Sequence, residues 1–275
     1  MDKKLIAQLV ILFLLTQALG LYVGHKLIDA DVSAQIVTDN PEDIENTFGL
    51  FGYILVFTLV LLAVIKFAPA WLLMLILKTF ESLAIFFTSL LVFISFYESI
   101  LVILLSIGLV LSRWIFSKNI WLRNLTSITA TAGAGSLIGV SLGVTPVLVF
   151  LVLLAAYDLI AVFKTKHMVK LAKTLTKKNL AFTYAMPTKK HTFELGTGDM
   201  VMPLTFAVSL LAYAKELHPF PNYLIPSILV LLGSLVGLIW TIDYSSKRVG
   251  RALPALPPQV IIMLLMFGVI KLLGF

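Results

Sequence analysis

The sequence predicts an all-α polytopic membrane protein with nine transmembrane helices, and three observations carry that expectation. Of its 275 residues 60% are hydrophobic and only 13% charged, with a mean hydropathy of +1.02, whereas a soluble domain carries about 25% charged residues. The apolar residues form runs long enough to cross a ~30 Å hydrocarbon layer, which takes roughly 20 helical residues per crossing. Lys and Arg then gather in alternate connections, as they do when one side of a membrane retains the basic loops. With no cysteine, disulfide and thiolate chemistry are absent, and any metal would need His or carboxylate ligands.

Nine runs qualify: 5–24, 48–67, 70–95, 98–116, 122–143, 146–164, 197–216, 222–242 and 256–274. The first comes after Met1-Asp2-Lys3-Lys4 and has the basic start of a signal peptide, with Ala18-Leu19-Gly20 as a passable cleavage site. It is long enough to span, so it is read as a signal anchor. Runs three and four are separated only by Tyr97-Glu98-Ser99. The stretch 72–116 is too long for one crossing, so a tight reversal is expected there.

Placing the N-terminus in the cytoplasm puts 17 of the 21 basic residues on the inner side, among them Lys66, Arg113, Lys118 and Arg123. Lys26, Lys215 and Lys271 fall outside, and Lys78 lies within a span. The first outer loop carries Asp29, Asp31, Asp39, Glu42, Asp43 and Glu45. The net charge of +7 is thereby topological, and nucleic acid is not an expected partner. Nine spans leave the C-terminus outside. Residues 1–164 are expected to hold segments one to six, 165–195 a cytoplasmic basic loop and 196–275 segments seven to nine, in one integrated membrane domain. The loop carries an apolar island, 180–186, which reads either as part of a solvated linker or as a strand or lid near a site.

Ionisable groups at membrane depth are costly, so each is a functional candidate. Lys78 and Glu81 are three apart on one helical face and suit a structural ion pair; Glu98 falls at a turn. Asp158, in Tyr157-Asp158, and Asp199, in Gly196-Thr197-Gly198-Asp199, have no Lys or Arg within five residues. On antiparallel spans six and seven they fall at similar depth in the cytoplasmic half, roughly 9 and 13 Å from the nearest basic residue at 1.5 Å per residue. Two carboxyls in a small, poorly solvated site cannot both ionise easily, so the pair holds one proton near neutral pH. Such a pair suits acid–base hydrolysis of a peptide, a proton relay in a transporter, or an interhelical hydrogen bond, and depth alone leaves all three open.

Gly196 and Gly198 permit irregular backbone and close approach before Asp199. Pro254, Ala255, Leu256, Pro257 and Pro258 open the ninth span, and prolines there leave carbonyls without a local donor, a condition tolerated in a membrane when the backbone is buried in protein or lines a wet cavity. The repeats Gly135, Gly139, Gly143 and Gly233, Gly237 offer flat faces for helix packing. The four His, at 25, 167, 191 and 218, lie in or beside loops, and no His-Glu-x-x-His occurs, so a membrane zinc protease is not expected. Ser136 and Ser234 have no His at similar depth, which argues against serine chemistry.

Tyr157-Asp158, Gly196-Thr197-Gly198-Asp199 and Pro254-Ala255-Leu256-Pro257, in that order on spans six, seven and nine, resemble the presenilin and signal-peptide-peptidase superfamily of intramembrane aspartyl proteases. Lys164-Thr165-Lys166-His167-Met168 looks like prokaryotic presenilin homologues in particular. The resemblance implies a presenilin-like fold, Asp158 and Asp199 as the catalytic pair, Tyr157, Gly196 and Gly198 as its support, and Pro254, Ala255, Leu256 and Pro257 as a substrate-binding segment. It implies no cofactor and no metal. Its expected partners are transmembrane peptide or protein substrates and membrane lipid; no obligatory accessory subunit is evident, and a homo-oligomer stays open. The basic count matches the presenilin orientation, which implies single-span substrates with the N-terminus outside. A helical substrate must unwind before cleavage, and the expected partners for the extended peptide are the 254–257 backbone and the 180–186 island. The alternative from another class is a carboxylate-dependent ion or proton transporter or channel; a non-catalytic helix-binding protein is a third.

Overall fold

The computed structural model describes residues 3–164, 183–188, 192–246 and 254–275. Among these residues nine long helices match the nine predicted runs: α1 (Lys3–Asp29), α2 (Ile44–Phe67), α3 (Ala70–Ile94), α4 (Leu101–Ile115), α5 (Ile120–Ser141), α6 (Val144–Leu159), α7 (Gly198–Leu217), α8 (Ile225–Ser246) and α9 (Leu256–Leu272). Six are long and apolar enough to cross a membrane, and α4 and α9 are shorter apolar helices. The predicted reversal after α3 is present, and the Leu101 N–H is held there by the Ser99 hydroxyl.

Helix ends obey local chemistry. Asn119 caps α5, its side-chain oxygen accepting from the Trp121 and Leu122 N–H groups, which have no partner inside the helix. Pro257 and Pro258 sit in the first turn of α9, where a missing N–H costs nothing. α6 runs on into one wider π turn, Ile160–Lys164.

α7 is the axis of the bundle. It packs on α1, α5, α6, α8 and α9, and twelve of its residues, from Met200 to Ala214, are buried. Of the small residues predicted to make flat faces, Gly135 and Gly139 do so, a Cβ on Gly135 lying 2.8 Å from Leu204 Cδ2 and one on Gly139 lying 2.7 Å from Val208 Cβ and 2.8 Å from the Thr205 carbonyl oxygen, both on α7, whereas Gly143 precedes α6 and its Cβ would meet the Glu42 carboxyl. Gly237 gives the same close approach of α8 to the backbone of Gln259 on α9.

Arg113, counted to the inner side at the end of the fourth run, does not reach for water. Arg113 lies in the last turn of α4 and is fully buried. Its Nε donates to Glu81 Oε1 at 3.2 Å, while Lys78 Nζ is 3.4 Å from Glu81 Oε2. The expected Lys78–Glu81 pair exists, but Glu81 has drawn a second cation inward from the next helix, since a carboxylate at this depth is stabilised most by a partner that is itself out of water.

Part of the apolar island becomes a strand. β1 (Thr183–Pro187) pairs antiparallel with β2 (Thr192–Gly196), in the register Thr183 with Gly196 and Ala185 with Glu194. Residues 180–182 of the island lie outside the described residues.

Candidate active site

The backbone leads from β2 through Thr197 directly into α7, so Asp199 stands in that helix's first turn. Asp158 stands in the last turn of α6. The two helices pack against each other, and the Asp158 and Asp199 carboxyls are near enough to interact electrostatically. Both side chains are half-buried rather than sealed. The Leu256 backbone N–H, at the start of α9, hydrogen-bonds to the Asp158 carboxyl. Pro254, Ala255, Leu256 and Pro257 are all buried, so the proline-rich segment lies against the acid pair rather than serving as a loose lead-in.

The glycines divide. A Cβ on Gly196 would touch Asp199 Oδ2 at 3.4 Å, so any longer side chain there would crowd the carboxyl; a Cβ on Gly198 would meet nothing within 4 Å. Gly196 keeps space around the acid, and Gly198 leaves the helix start uncovered. Tyr157 packs on α2. Its ring meets Phe51 edge-on at 6.2 Å and its hydroxyl pairs with Thr58, both on α2.

Several positioning side chains have no counterpart in the sequence reading. Gln17 of α1, 3% exposed, donates from Nε2 to the Met200 carbonyl at 3.0 Å, tying α1 to the turn that carries Asp199. Asn124 of α5 clamps β1 from behind: its Oδ1 accepts from the Ala185 N–H at 2.8 Å and its Nδ2 donates to the Ala185 carbonyl at 2.9 Å. Arg123 bridges the two strands, donating from Nε to the Thr183 carbonyl at 3.2 Å and pairing with Glu194 at 3.0 Å. Tyr184 is fully buried, its hydroxyl 2.8 Å from Thr131 Oγ1 and 3.2 Å from Thr16 Oγ1. Burial pushes that phenol's pKa above its ordinary value, which keeps it neutral as a hydrogen-bonding strut. A search restricted to ionisable groups in spans passes over amides and hydroxyls; polar residues in the middle of α1 and near the start of α5 were the available signal.

Apolar helices around two facing acids define a membrane-embedded protein of presenilin-like architecture, and the whole fold bears this out. A presenilin-family intramembrane aspartate protease solved in the C222 space group superposes with a TM-score of 0.71 at 22% identity, with 96% of this chain and 97% of that chain covered. Another such protease, solved in P2, gives 0.68 at 24% identity over 96% of each chain. No curated protein matches. The family model of signal-peptide peptidase and presenilin aspartyl proteases matches residues 10–271, and the chain belongs to that family. It is an intramembrane aspartic endopeptidase, and the transporter alternative has no support.

Proposed function

We propose that Asp158 and Asp199 are the catalytic dyad, on the single observation that their carboxyls interact across the α6–α7 contact at the point where the Leu256 N–H also converges. The ionised partner takes a proton from a bound water, whose oxygen attacks the peptide carbonyl carbon; the protonated partner donates to the carbonyl oxygen. The tetrahedral diol collapses when one carboxyl returns a proton to the amide nitrogen, the C–N bond breaks, and the dyad regains its single proton. Two carboxyls and one water suffice for this cycle. It requires the singly protonated pair, so the rate falls at both ends of the pH scale.

An extended peptide needs an edge to pair with. β1 is taken up on one side by β2 and on the other by Asn124, which leaves β2 as the sheet's outer strand among the described residues. β2 ends two residues before Gly198 and points at Asp199. The substrate strand adds along β2, with Pro254 to Pro257 supporting its far side; main-chain hydrogen bonds replace those lost as the helix unwinds. Loop and spans act here as one integrated domain, because α5 and α1 both hold the hairpin. Substrates cross with the N-terminus outside, matching a cytoplasmic N-terminus and an external C-terminus for the protease, as the basic count favours. No accessory subunit is needed.

The test uses the purified chain in bilayers with a transmembrane reporter. Wild type cuts it alone, while Asp158→Asn and Asp199→Asn each lose at least about a thousandfold in rate, on the order of removing a catalytic group elsewhere. Cleavage surviving in both variants would overturn the dyad. Because the chain has no cysteine, single Asp39→Cys and Lys118→Cys variants read orientation directly: an impermeant maleimide should label the first from outside and the second only after permeabilisation.

A further inference from the structure

The opening turn of α9 gives the Asp158 carboxyl a backbone donor, the Leu256 N–H. Pro257 and Pro258 carry no N–H, so the next one along the chain belongs to Gln259. Where the Leu256 N–H falls therefore depends on the height of α9 along its own axis, and a slip of one residue would carry it about 1.5 Å. α8 sets that height, because the two helices touch at Gln259: a Cβ on Gly237 would lie 2.9 Å from Gln259 Cα and 3.1 Å from its backbone N. At Ser234, three residues before Gly237, the hydroxyl donates to Gln259 Oε1 at 3.2 Å, and both residues have no exposed surface. Buried serines such as Ser106 and Ser141 give their proton to the carbonyl four residues back in their own helix. Ser234 gives it across an interface.

A second observation concerns the other end of the same amide. Gln259 Nε2 is buried and has no hydrogen-bond partner among the described residues, since one hydroxyl can satisfy only one end. An unmet buried donor costs free energy, and an apolar side chain of the same length would avoid that cost, so stability alone does not account for an amide here. Apolar helix faces can settle in several neighbouring registers, whereas one polar contact buried between them selects a single register at some expense in stability.

We propose that Ser234 and Gln259 are a register pin, a pair of positioning residues that lock α9 against α8 so that the Leu256 N–H stays on Asp158. Enclosed as they are, they act on the reaction through that N–H and not by touching substrate. The inference rests on the reading of Asp158 as one of the dyad. An N–H aimed at a carboxyl alters the balance between its protonated and ionised forms, so the pin sets both the rate of the chemical step and the pH range over which the pair holds one proton.

The experiment compares Gln259→Met, which keeps length and volume, with Ser234→Ala and the double variant, each as the full chain in bilayers with the transmembrane reporter. Gln259→Met removes the unmet donor and should hold or raise the thermal midpoint, while Ser234→Ala leaves both ends of the amide unpaired and should lower it. Both should nonetheless lose kcat alike, about tenfold, within the hundredfold that a misplacement of about 1 Å can cost, with KM less affected. The double variant should be no slower than Gln259→Met, because one bond is lost in each case. The bell of rate against pH should also change width in both, whereas a smaller folded fraction would only scale it. Thr241→Val serves as the control, since that buried hydroxyl bonds the Gly237 carbonyl of its own helix at 2.9 Å; it should leave kcat and the bell unchanged. Wild-type kcat in Gln259→Met, losses that multiply in the double variant, or a bell that is merely scaled would each overturn the pin. The dyad is tested separately: Gln259→Met cutting normally while Asp158→Asn is inert removes the pin alone, and cleavage by Asp158→Asn removes the ground of both.

Discussion

α2 and α7 have similar length and opposite character. α2 is the more apolar, yet its only buried residues are the polar Asn46 and Thr47 at its start, and Leu59 and Val56 are 66% and 61% exposed. α7 carries Thr205, Ser209 and Asp199, and it is the most enclosed of the spans. In lipid the outward surface must be apolar, while inward faces are held by close packing and hydrogen bonds, so a less hydrophobic helix such as α7 belongs at the centre.

The comparison breaks most severely at the α5–α7 seam. Gly139→Leu would drive a side chain into Val208 and the Thr205 carbonyl, where backbone cannot yield; little folded, active protein should be recovered from detergent extracts, and full recovery would show that the seam is loose. Next comes a buried ion pair between α3 and α4, outside the central helices. Arg113→Met takes the buried guanidinium away from Glu81, at a cost of about 3–5 kcal/mol for a broken buried pair, read as earlier thermal inactivation; Glu81→Gln combined with Arg113→Met should recover much of it.

A smaller effect separates positioning from catalysis. Asn124→Ala removes two hydrogen bonds from Ala185, roughly 1–3 kcal/mol, and should raise KM for the reporter more than it lowers kcat; a loss confined to kcat would argue against the hairpin as the substrate's platform. Least of all, Leu59→Ala on α2 should shift stability by no more than about 0.5 kcal/mol, as for other surface positions. A large shift there would mean that α2 is covered by something else.

Much of this was legible in the chain. Apolar runs are dictated by membrane thickness, so all nine helices were readable to within a few residues, and Asp158 and Asp199 stood out because a charge without a neighbouring counter-charge is rare at that depth. The burial of Arg113 was not legible because counting basic residues near span ends assumes that they reach for water, whereas Glu81, 32 residues earlier, holds this one inside. β2 was invisible for a related reason. Thr192 to Gly196 does alternate, with Phe193 and Leu195 as its apolar positions, but five residues ending on glycine are too short a run to stand out from a loop, and the strand pairs with β1 while Arg123 reaches Glu194 from another helix. Gln17 has the same history, an amide inside an apolar run whose partner is 183 residues away.

Pro203 lies inside α7, four residues after Asp199. Lacking an N–H, it cannot close the rung that would otherwise end on the Asp199 carbonyl. The opening turn of the central rod is therefore fastened to the later turns by one tie fewer than an uninterrupted coil would have, and the Gln17 amide supplies an outside tether in its place. In the proposed dyad, Asp199 mounted on such a turn can track its substrate through the change from trigonal to tetrahedral carbon without dragging the rest of the bundle along.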